Sequence, residues 1–385
     1  MTRFERLEAA EYELPPSLRD EVLSPALVVH LDRVRENLRR VIAHVGDPDR
    51  WRPHVKTTKI PAVFAEIARA GVRHFKCATT REVLYLCRTL REEGVEGADV
   101  LLAHLPVGRA LQGLGRVAAE HPETSMSVLC EDPDAVLAIP AGVDVFVDVN
   151  VGMERTGIPV AEHDAIAAVA RAAGNRFRGV HGYDGHLHDG SPAERRAAVF
   201  ACYDRLHDLV VALIDGGASV GEVITSGTPT FLHALAYVGF DELEGVRHRV
   251  SPGTVVYHDL RSEQENPELD LLPAATVLTR VVSHPSANLV TCDAGSKSIA
   301  AEAGDPCAFV IGRPELVPQS PNEEHLPLRV TAGERPPRGT VLHLVPLHVC
   351  PTVNLAEQAL LVDGDDARVV DVSARAHDLL LGVIP

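Results

Sequence analysis

The sequence predicts an α/β protein: a (β/α)8 barrel of the TIM type followed by a smaller, mainly antiparallel β domain. Two observations carry this expectation. After residue 50, short β-rich runs alternate with helix-length amphipathic segments, and eight such strands are the number that closes a barrel. From about residue 262 helical periodicity fades, and short runs punctuated by Pro and Gly take over. At 385 residues the chain is also too long for one ordinary core. The expected division is a barrel at 32–260 and a β domain made of 1–31 plus 261–385.

The barrel strands are expected at 51–55 (WRPHV), 73–77 (RHFKC), 99–103 (DVLLA), 126–130 (MSVLC), 144–149 (DVFVDV), 178–183 (RGVHGY), 222–225 (EVIT) and 248–251 (HRVS). Helical patterns lie between them, such as "PAVFAEIARAG", "TREVLYLCRTLREEG" and "AEHDAIAAVARAAG". Several end in Gly, the usual stop after a last helical turn. A doubly wound open sheet is the competing arrangement. The earlier run "ALVVHL" (26–31) precedes the eight and is placed outside the barrel, because nine strands do not close the usual ring. In the later part, "ATVLTRVVSH", "NLVTCDAG", "CAFVIG", "LRVTAG", "TVLHLVPLHVC", "QALLVDG" and "DARVVDVSAR" read as short antiparallel strands.

Composition narrows the function. Apolar residues make up 45% and charged residues 24%, a globular balance. A formal charge of −17 argues against a nucleic-acid partner, since phosphate-backbone binding needs clustered Lys and Arg. The N-terminus lacks an apolar signal region, and no run reaches the length of a membrane span. The seven cysteines (77, 87, 130, 202, 292, 307, 350) are odd in number and scattered, which suits reduced thiols in a cytoplasm. Six read as small buried hydrophobes, with Cys350 the exception.

Lys56, in "RPHVKTTKIP", falls at the end of the first barrel strand, and catalytic groups of such barrels project from strand C-termini. An amine there can form a Schiff base if it is neutral, which burial or neighbouring cations favour. His54 and Lys59 are the nearest candidates in sequence, with surface solvation as the plainer role. After strand 7 comes "TSGTPT" (225–230) and after strand 8 "SPGT" (251–254), small turns with hydroxyls and free N–H groups that suit a phosphate. Pyridoxal phosphate fits an amine and a phosphate cradle on one barrel mouth. Arg155, just past strand 5, can approach the pyridine nitrogen and keep it unprotonated, or else pair with Asp148 or Glu154. "GVHGYDGHLHD" follows strand 6 and offers Tyr183, His186 and His188 as rings to pack on a cofactor. In the strand-like "LHLVPLHVCPTVN" (342–354), His348 and Cys350 are two apart and so expected on one face. Imidazole plus thiolate favours zinc, with open positions left for water or substrate. His343 falls on the other face.

These segments, with "KCATTREV", "DVNVGMERTGI", "GYDGHL", "SPGTVVYHD", "DAGSKS" and "HVCPTVN", occur in the order found in the D-serine dehydratase/D-threonine aldolase family. The resemblance spans roughly residues 20–360. That family is of fold-type III pyridoxal-phosphate enzymes with an alanine-racemase-like barrel. The resemblance implies a Schiff base on Lys56, Arg155 near the pyridine nitrogen and Tyr183 beside the cofactor. It also implies phosphate contacts from Ser226, Gly227, Thr228, Gly253 and Thr254, and a divalent metal on His348 and Cys350. Zinc is the first choice, manganese or magnesium the others. The substrate would be a β-hydroxy-D-amino acid, and a homodimer is implied. Two departures matter. The family often has His where this chain has Thr58, and its aldolases more often show H-x-D than H-x-C. The second departure tilts the expectation toward a dehydratase releasing a 2-oxo acid and ammonia. Retro-aldol cleavage to glycine and an aldehyde is the alternative, and an amino-acid racemase a more distant one.

Overall fold

The structure, a computed structural model, describes residues 3–19 and 21–379. The chain divides into two compact units. One comprises the residues up to Val41, Thr57–Glu66 and Thr254–Arg375; the other comprises Ile42–Lys56, Ile67–Gly253 and the residues from Ala376.

The second unit is built on a parallel sheet in the order His74–Cys77, Asp99–Leu102, Ser125–Cys130, Val143–Asn150, Phe177–Gly182, Glu222–Thr225 and Arg247–Val250. The run 51–55 closes it into a barrel. Trp51 bridges Val250 and His54 bridges Lys76, both parallel. Arg52 N–H donates to Val250 O, and Val55 N–H to Lys76 O. Pro53 explains why this first strand is reduced to two bridges: it has no N–H to give to a ladder. The strands sit where the alternation places them, and they are buried on both faces, as parallel strands are. Leu101, Leu129, Phe146 and Ile224 form an apolar layer contributed by four different strands.

The helices Thr80–Glu92, Arg109–Glu120, His163–Ala173, Pro192–Asp215 and Phe231–Ala236 alternate with the strands. Thr79 caps the first by accepting from Glu82 N, and Ser191 and Glu194 form a capping box on the longest. One crossover departs from the pattern. Between Ser125–Cys130 and Val143–Asn150 the chain makes only the 3-10 turn Ala135–Ala138. That connection carries Pro133 and Pro140, which leave no room for a full helix.

The first unit is a mainly antiparallel sheet. Its order runs Leu316–Pro318, Leu326–Val330, Leu289–Cys292, Ala275–Ser286, Ala26–His30, Gln358–Asp363 and Asp366–Asp371, with Val341–Pro346 also pairing Ala275–Ser286 and Ala308–Val310. Ala26–His30 lies here, antiparallel to Ala275–Ser286 and parallel to Gln358–Asp363. Val277, Val281, Val290, Cys292, Leu326, Leu328, Leu342 and Leu344 form its core. None of the seven cysteines forms a disulfide among the described residues; six are buried and Cys350 is half-buried.

The structure corrects the strand reading of 342–354. The strand Val341–Pro346 ends before the histidine, His348 is the N-cap of a short helix, and Cys350 lies in that helix, Val349–Leu355. Pro351 is the reason: it cannot donate to a ladder but is tolerated in a first helical turn.

Candidate active site

In the barrel unit, Lys56 follows the closing strand and is half-buried, its N–H directed at His54 Nδ1 at 3.5 Å. Lys59 lies on the other unit, at a left-handed φ of 55°. A second lysine, not singled out in the sequence, stands one strand away. Lys76 is buried, and its Nζ is 3.4 Å from His181 Nε2. His181 Nδ1 is in turn 2.9 Å from Asp148 Oδ1. Burial pushes the Lys76 amine down to about 7, helped by the charges of Lys56 and Arg52 and opposed by Asp184 and Asp148. Burial likewise lowers His181, so this imidazole is neutral in the ordinary range.

Tyr183 gathers the expected ring and cation. The Arg155 guanidinium carbon lies 4.9 Å from its ring centroid and Lys76 Nζ 5.8 Å, both within cation–π reach. Arg155 is exposed. The Asp148 carboxyl, proposed as its pairing partner, bonds His181 instead, and Glu154 accepts from Asn150 Nδ2. Burial would raise Asp148, but the His181 hydrogen bond, Thr156 and the Arg155 charge hold it below the usual carboxylate range. Of the other rings, His186 has a buried Nδ1 without a partner, whereas His188 is an exposed loop residue facing the Gly185 carbonyl.

The turns after the last two strands are joined. Ser226, at a left-handed φ of 64°, accepts from Ser251 N–H at 3.3 Å. Gly227 packs against the tyrosine: a Cβ there would sit 3.1 Å from Tyr183 Cε2. Asp184 fixes this turn from behind. It is fully buried and accepts from Tyr203 Oη at 2.6 Å and Thr230 Oγ1 at 2.9 Å, while Thr230 Oγ1 accepts from Gly227 N. Burial raises the Asp184 carboxyl despite these donors, which suits a group lying behind a site for an anion. Thr228 and Gly253 are buried, and Thr254 opens the 3-10 turn Thr254–Val256.

The other unit holds the imidazole–thiol pair. His348 and Cys350 share a hydrogen bond; burial lowers the imidazole, but that bond and the charges of Cys350 and Asp259 outweigh it and raise it. The hydroxyl of Thr57 lies 3.1 Å from Cys350 Sγ and that of Thr254 3.7 Å. The cap is held on two sides: Val349 N–H donates to Asp259 Oδ2, and Thr352 Oγ1 donates to His348 O. Among the described residues no third His, Cys, Asp or Glu completes a metal cluster. His343 is buried against Tyr12, away from this role.

These residues fit the groups they are expected to hold. A glycine whose added Cβ would crowd Tyr183, a serine in a left-handed turn and a crosslink to the neighbouring turn would suit a phosphate. A half-buried thiol hydrogen-bonded to an imidazole is a donor set for a divalent cation, with positions left open.

A (β/α)8 barrel with an amine at the end of its first strand, joined to a mainly antiparallel sheet, defines the alanine-racemase-like, fold-type III class of pyridoxal-phosphate enzymes. The family of the alanine racemase N-terminal domain matches residues 29–259, and that of the putative serine dehydratase domain matches 274–362. The D-threonine aldolase of an Arthrobacter species is 30% identical, covering 91% of this chain and 92% of its own. The D-threo-3-hydroxyaspartate dehydratase of a Delftia species is 25% identical over 89% of this chain and 95% of its own. The solved structure of that dehydratase gives a TM-score of 0.75 at 22% identity, covering 93% and 98%. The crystal structure of D-threonine aldolase from Filomicrobium marinum gives 0.79 at 26% identity, covering 92% of this chain and 95% of the other. The chain belongs to the alanine racemase N-terminal domain family.

Lys76, His181, Asp148 and Asp184 were missed as site residues. The signal was there in part: a lysine flanked by Phe75 and Cys77 in a short strand-like run is rarely tolerated without a partner. Its partner lies four strands away, where sequence spacing gives no hint.

Proposed function

We propose that this protein is a pyridoxal-phosphate- and divalent-metal-dependent lyase acting on β-hydroxy-D-amino acids, and that it removes water to yield a 2-oxo acid and ammonia. The observation that carries the proposal is the contact of Thr57 with Cys350. Thr57 is the residue that follows Lys56 in the chain, and it belongs to the same unit as the thiol–imidazole pair.

Bound pyridoxal phosphate would supply an aldehyde for Lys56 and an electron sink for charge developing at Cα. A divalent cation on His348 and Cys350, zinc before manganese or magnesium, would act as a Lewis acid on the β-oxygen. The residues of the chain do the rest. The Lys56 amine takes the proton from Cα. Because one lysine serves one face, D-substrates are processed and L-substrates are not. Ser226, Gly227, Thr228, Gly253 and Thr254 hold the phosphate, Tyr183 packs beside the cofactor, and Arg155 keeps a fixed positive charge at its edge. In this reading 32–260 binds the cofactor, and 1–31 plus 261–385 carries the metal.

Dehydration is favoured by the donor set. A D-threo-3-hydroxyaspartate dehydratase has been solved as a histidine-to-alanine variant and, metal-free, as a cysteine-to-alanine variant two positions later, the spacing of His348 and Cys350. A second reading, retro-aldol cleavage to glycine and an aldehyde, is favoured by the name of the 30% identical relative and by the 3-hydroxy-D-aspartate aldolase of Paracoccus denitrificans, 25% identical over 94% of each chain. Purified enzyme is offered D-serine, D-threonine and D-3-hydroxyaspartate, with and without EDTA. 2-Oxo acid with ammonia supports the first reading, and glycine with aldehyde supports the second. Turnover unaffected by complete metal removal overturns the metal in both. His348→Ala and Cys350→Ala keep the yellow cofactor colour and lose metal and turnover together. Cysteines without disulfides suit a reducing cytoplasm, and a homodimer follows from the family resemblance; light scattering checks the latter.

A further inference from the structure

The turn that follows Glu222–Thr225 has a shape that its own residues do not favour. Ser226 has a φ of 64°, left-handed backbone that a residue with a side chain keeps only when its surroundings hold it. Gly227 leaves no slack, since a Cβ there would lie 3.1 Å from Tyr183 Cε2 and 3.4 Å from Tyr183 Oη. Ser251 N–H holds the turn on one side, through the Ser226 hydroxyl. Behind it lies Asp184, the residue after Tyr183, fully buried. An ionised carboxylate only accepts, so Tyr203 Oη and Thr230 Oγ1 both donate to it, at 2.6 and 2.9 Å. With its hydrogen spent on Asp184, the Thr230 oxygen offers a lone pair, and Gly227 N–H takes it at 3.3 Å. The other arm runs the same way. Thr225 Oγ1 donates to Tyr203 Oη, so His248 must donate from Nε2 to Thr225 Oγ1, at 2.8 Å. Two arms of hydroxyls thus end on one carboxylate, and each hydrogen has one place to go.

We propose that Asp184 and Thr230 are the positioning pair that makes this site select a phosphorylated cofactor over its phosphate-free form. The inference rests on the reading of the 226–228 turn as the phosphate holder. Asp184 aims the Thr230 hydroxyl, the Thr230 oxygen holds Gly227 N–H, and that bond fixes the turn against Tyr183. Because Asp184 directly follows Tyr183, one carboxylate sets the ring and the anion turn in a common frame. Both side chains act through the backbone of the turn and take no part in the chemistry at Lys56. Cutting the tie therefore loosens the phosphate end of the cofactor and spares the aldehyde end. A pair that served packing alone would weaken both cofactor forms equally.

The test compares binding of pyridoxal phosphate and of pyridoxal to the full chain freed of cofactor, read by imine absorbance. Thr230→Val keeps the shape and removes the hydroxyl, and Thr230→Ser keeps the hydroxyl. In Thr230→Val the Kd for pyridoxal phosphate rises at least about tenfold, the worth of one hydrogen bond at a charged ligand, while that for pyridoxal changes less than about twofold. Inorganic phosphate, added as a competitor, weakens by the same factor. Thr230→Ser stays within about twofold of the parent for all three. Asp184→Ala shows the same loss of preference, and the double variant loses no more than either single one, because the two residues act as one tie. Equal weakening of both cofactor forms, a serine that does not rescue, or losses that add in the double variant overturns the proposal. So does a parent that binds pyridoxal as tightly as its phosphate. The product assay keeps the two readings apart. A parent that makes neither 2-oxo acid nor aldehyde, yet whose phosphate preference depends on Thr230, sinks the lyase and leaves the pair standing; an active parent whose preference ignores Thr230 does the reverse.

Discussion

The two ends of the barrel carry similar numbers of buried charges and treat them in opposite ways. At the strand beginnings, Arg52 donates to Glu222 through Nε and Nη2 at 2.8 and 3.0 Å, and to Asp99 through Nη1 at 2.7 Å. Arg249 bonds Glu222 and Asp49, and Arg178 reaches Asp99 at 2.9 Å. Every charge has a fork-shaped or paired partner. Burial alone would neutralise these groups, but the partners win: Arg52 is raised, and Arg52 and Arg178 hold Asp99 down to about 2. At the strand ends burial wins at three groups, although His181 holds Asp148 ionised. Lys76 and His181 are lowered and Asp184 is raised, all toward their neutral forms. The lesson is that the same fold uses one layer of charges to lock its ring and leaves the other short of counter-charge, where protons can move.

That contrast breaks in order of effect. Lys56→Ala should reduce turnover to the background rate while leaving the unfolding curve close to the parent's, since Lys56 is half-buried and belongs to the open layer. Product assay and denaturant melt read the two halves; residual turnover would place the reactive amine elsewhere. Glu222→Ala should do the converse, leaving Arg52 and Arg249 short of an acceptor at a cost of about 3–5 kcal/mol of stability. A loss under about 1 kcal/mol would mean the lower network contributes little.

At both ends stability rises with pH, but in different windows and for opposite reasons: a cost is relieved at Lys76 and a contribution is gained at Asp99. Lys76 has a folded pKa near 7, below its unfolded 10.5, so between these values the unfolded chain binds more protons and stability rises with pH. Below pH 7 the cost of the buried amine is fully present. Lys76→Met should therefore be more stable than the parent near neutrality, with the gap closing by up to about 1.4 kcal/mol per pH unit as the pH is raised. A constant gap would contradict the shift. Asp99, whose folded pKa is depressed, contributes stability that is present above its unfolded value of 3.8 and lost as the pH falls toward 2. The smallest effect is expected from Arg178→Ala at the rim of the lower network. Its side chain is about a third exposed, and the loss should be about 1 kcal/mol by thermal melt.

Much of the fold was legible in the chain. The barrel strands could be read because each is a short apolar run bounded by Gly, Pro or charge, and the fading of helical periodicity marked the antiparallel sheet. The Ala135–Ala138 turn was not legible, because two prolines act there on a connection whose length alone is ordinary. For the His348–Cys350 pair the spacing was right and the geometry wrong. The two side chains do meet, but on a helix start set by Pro351, where an alternating strand was expected.

Sequence alone determined what depends on neighbours along the chain: the period of each strand and helix, a lysine at the end of the first barrel strand, and the small hydroxyl-bearing turns after the last two. Tertiary structure decided what depends on strand register. Lys76 and His181 are 105 residues apart, and His181 and Asp148 are 33 apart; they meet because parallel pairing brings strand ends level across the barrel. Whether a buried charge is locked or left to exchange protons follows from how many counter-charges that register delivers, and no local pattern of residues encodes it.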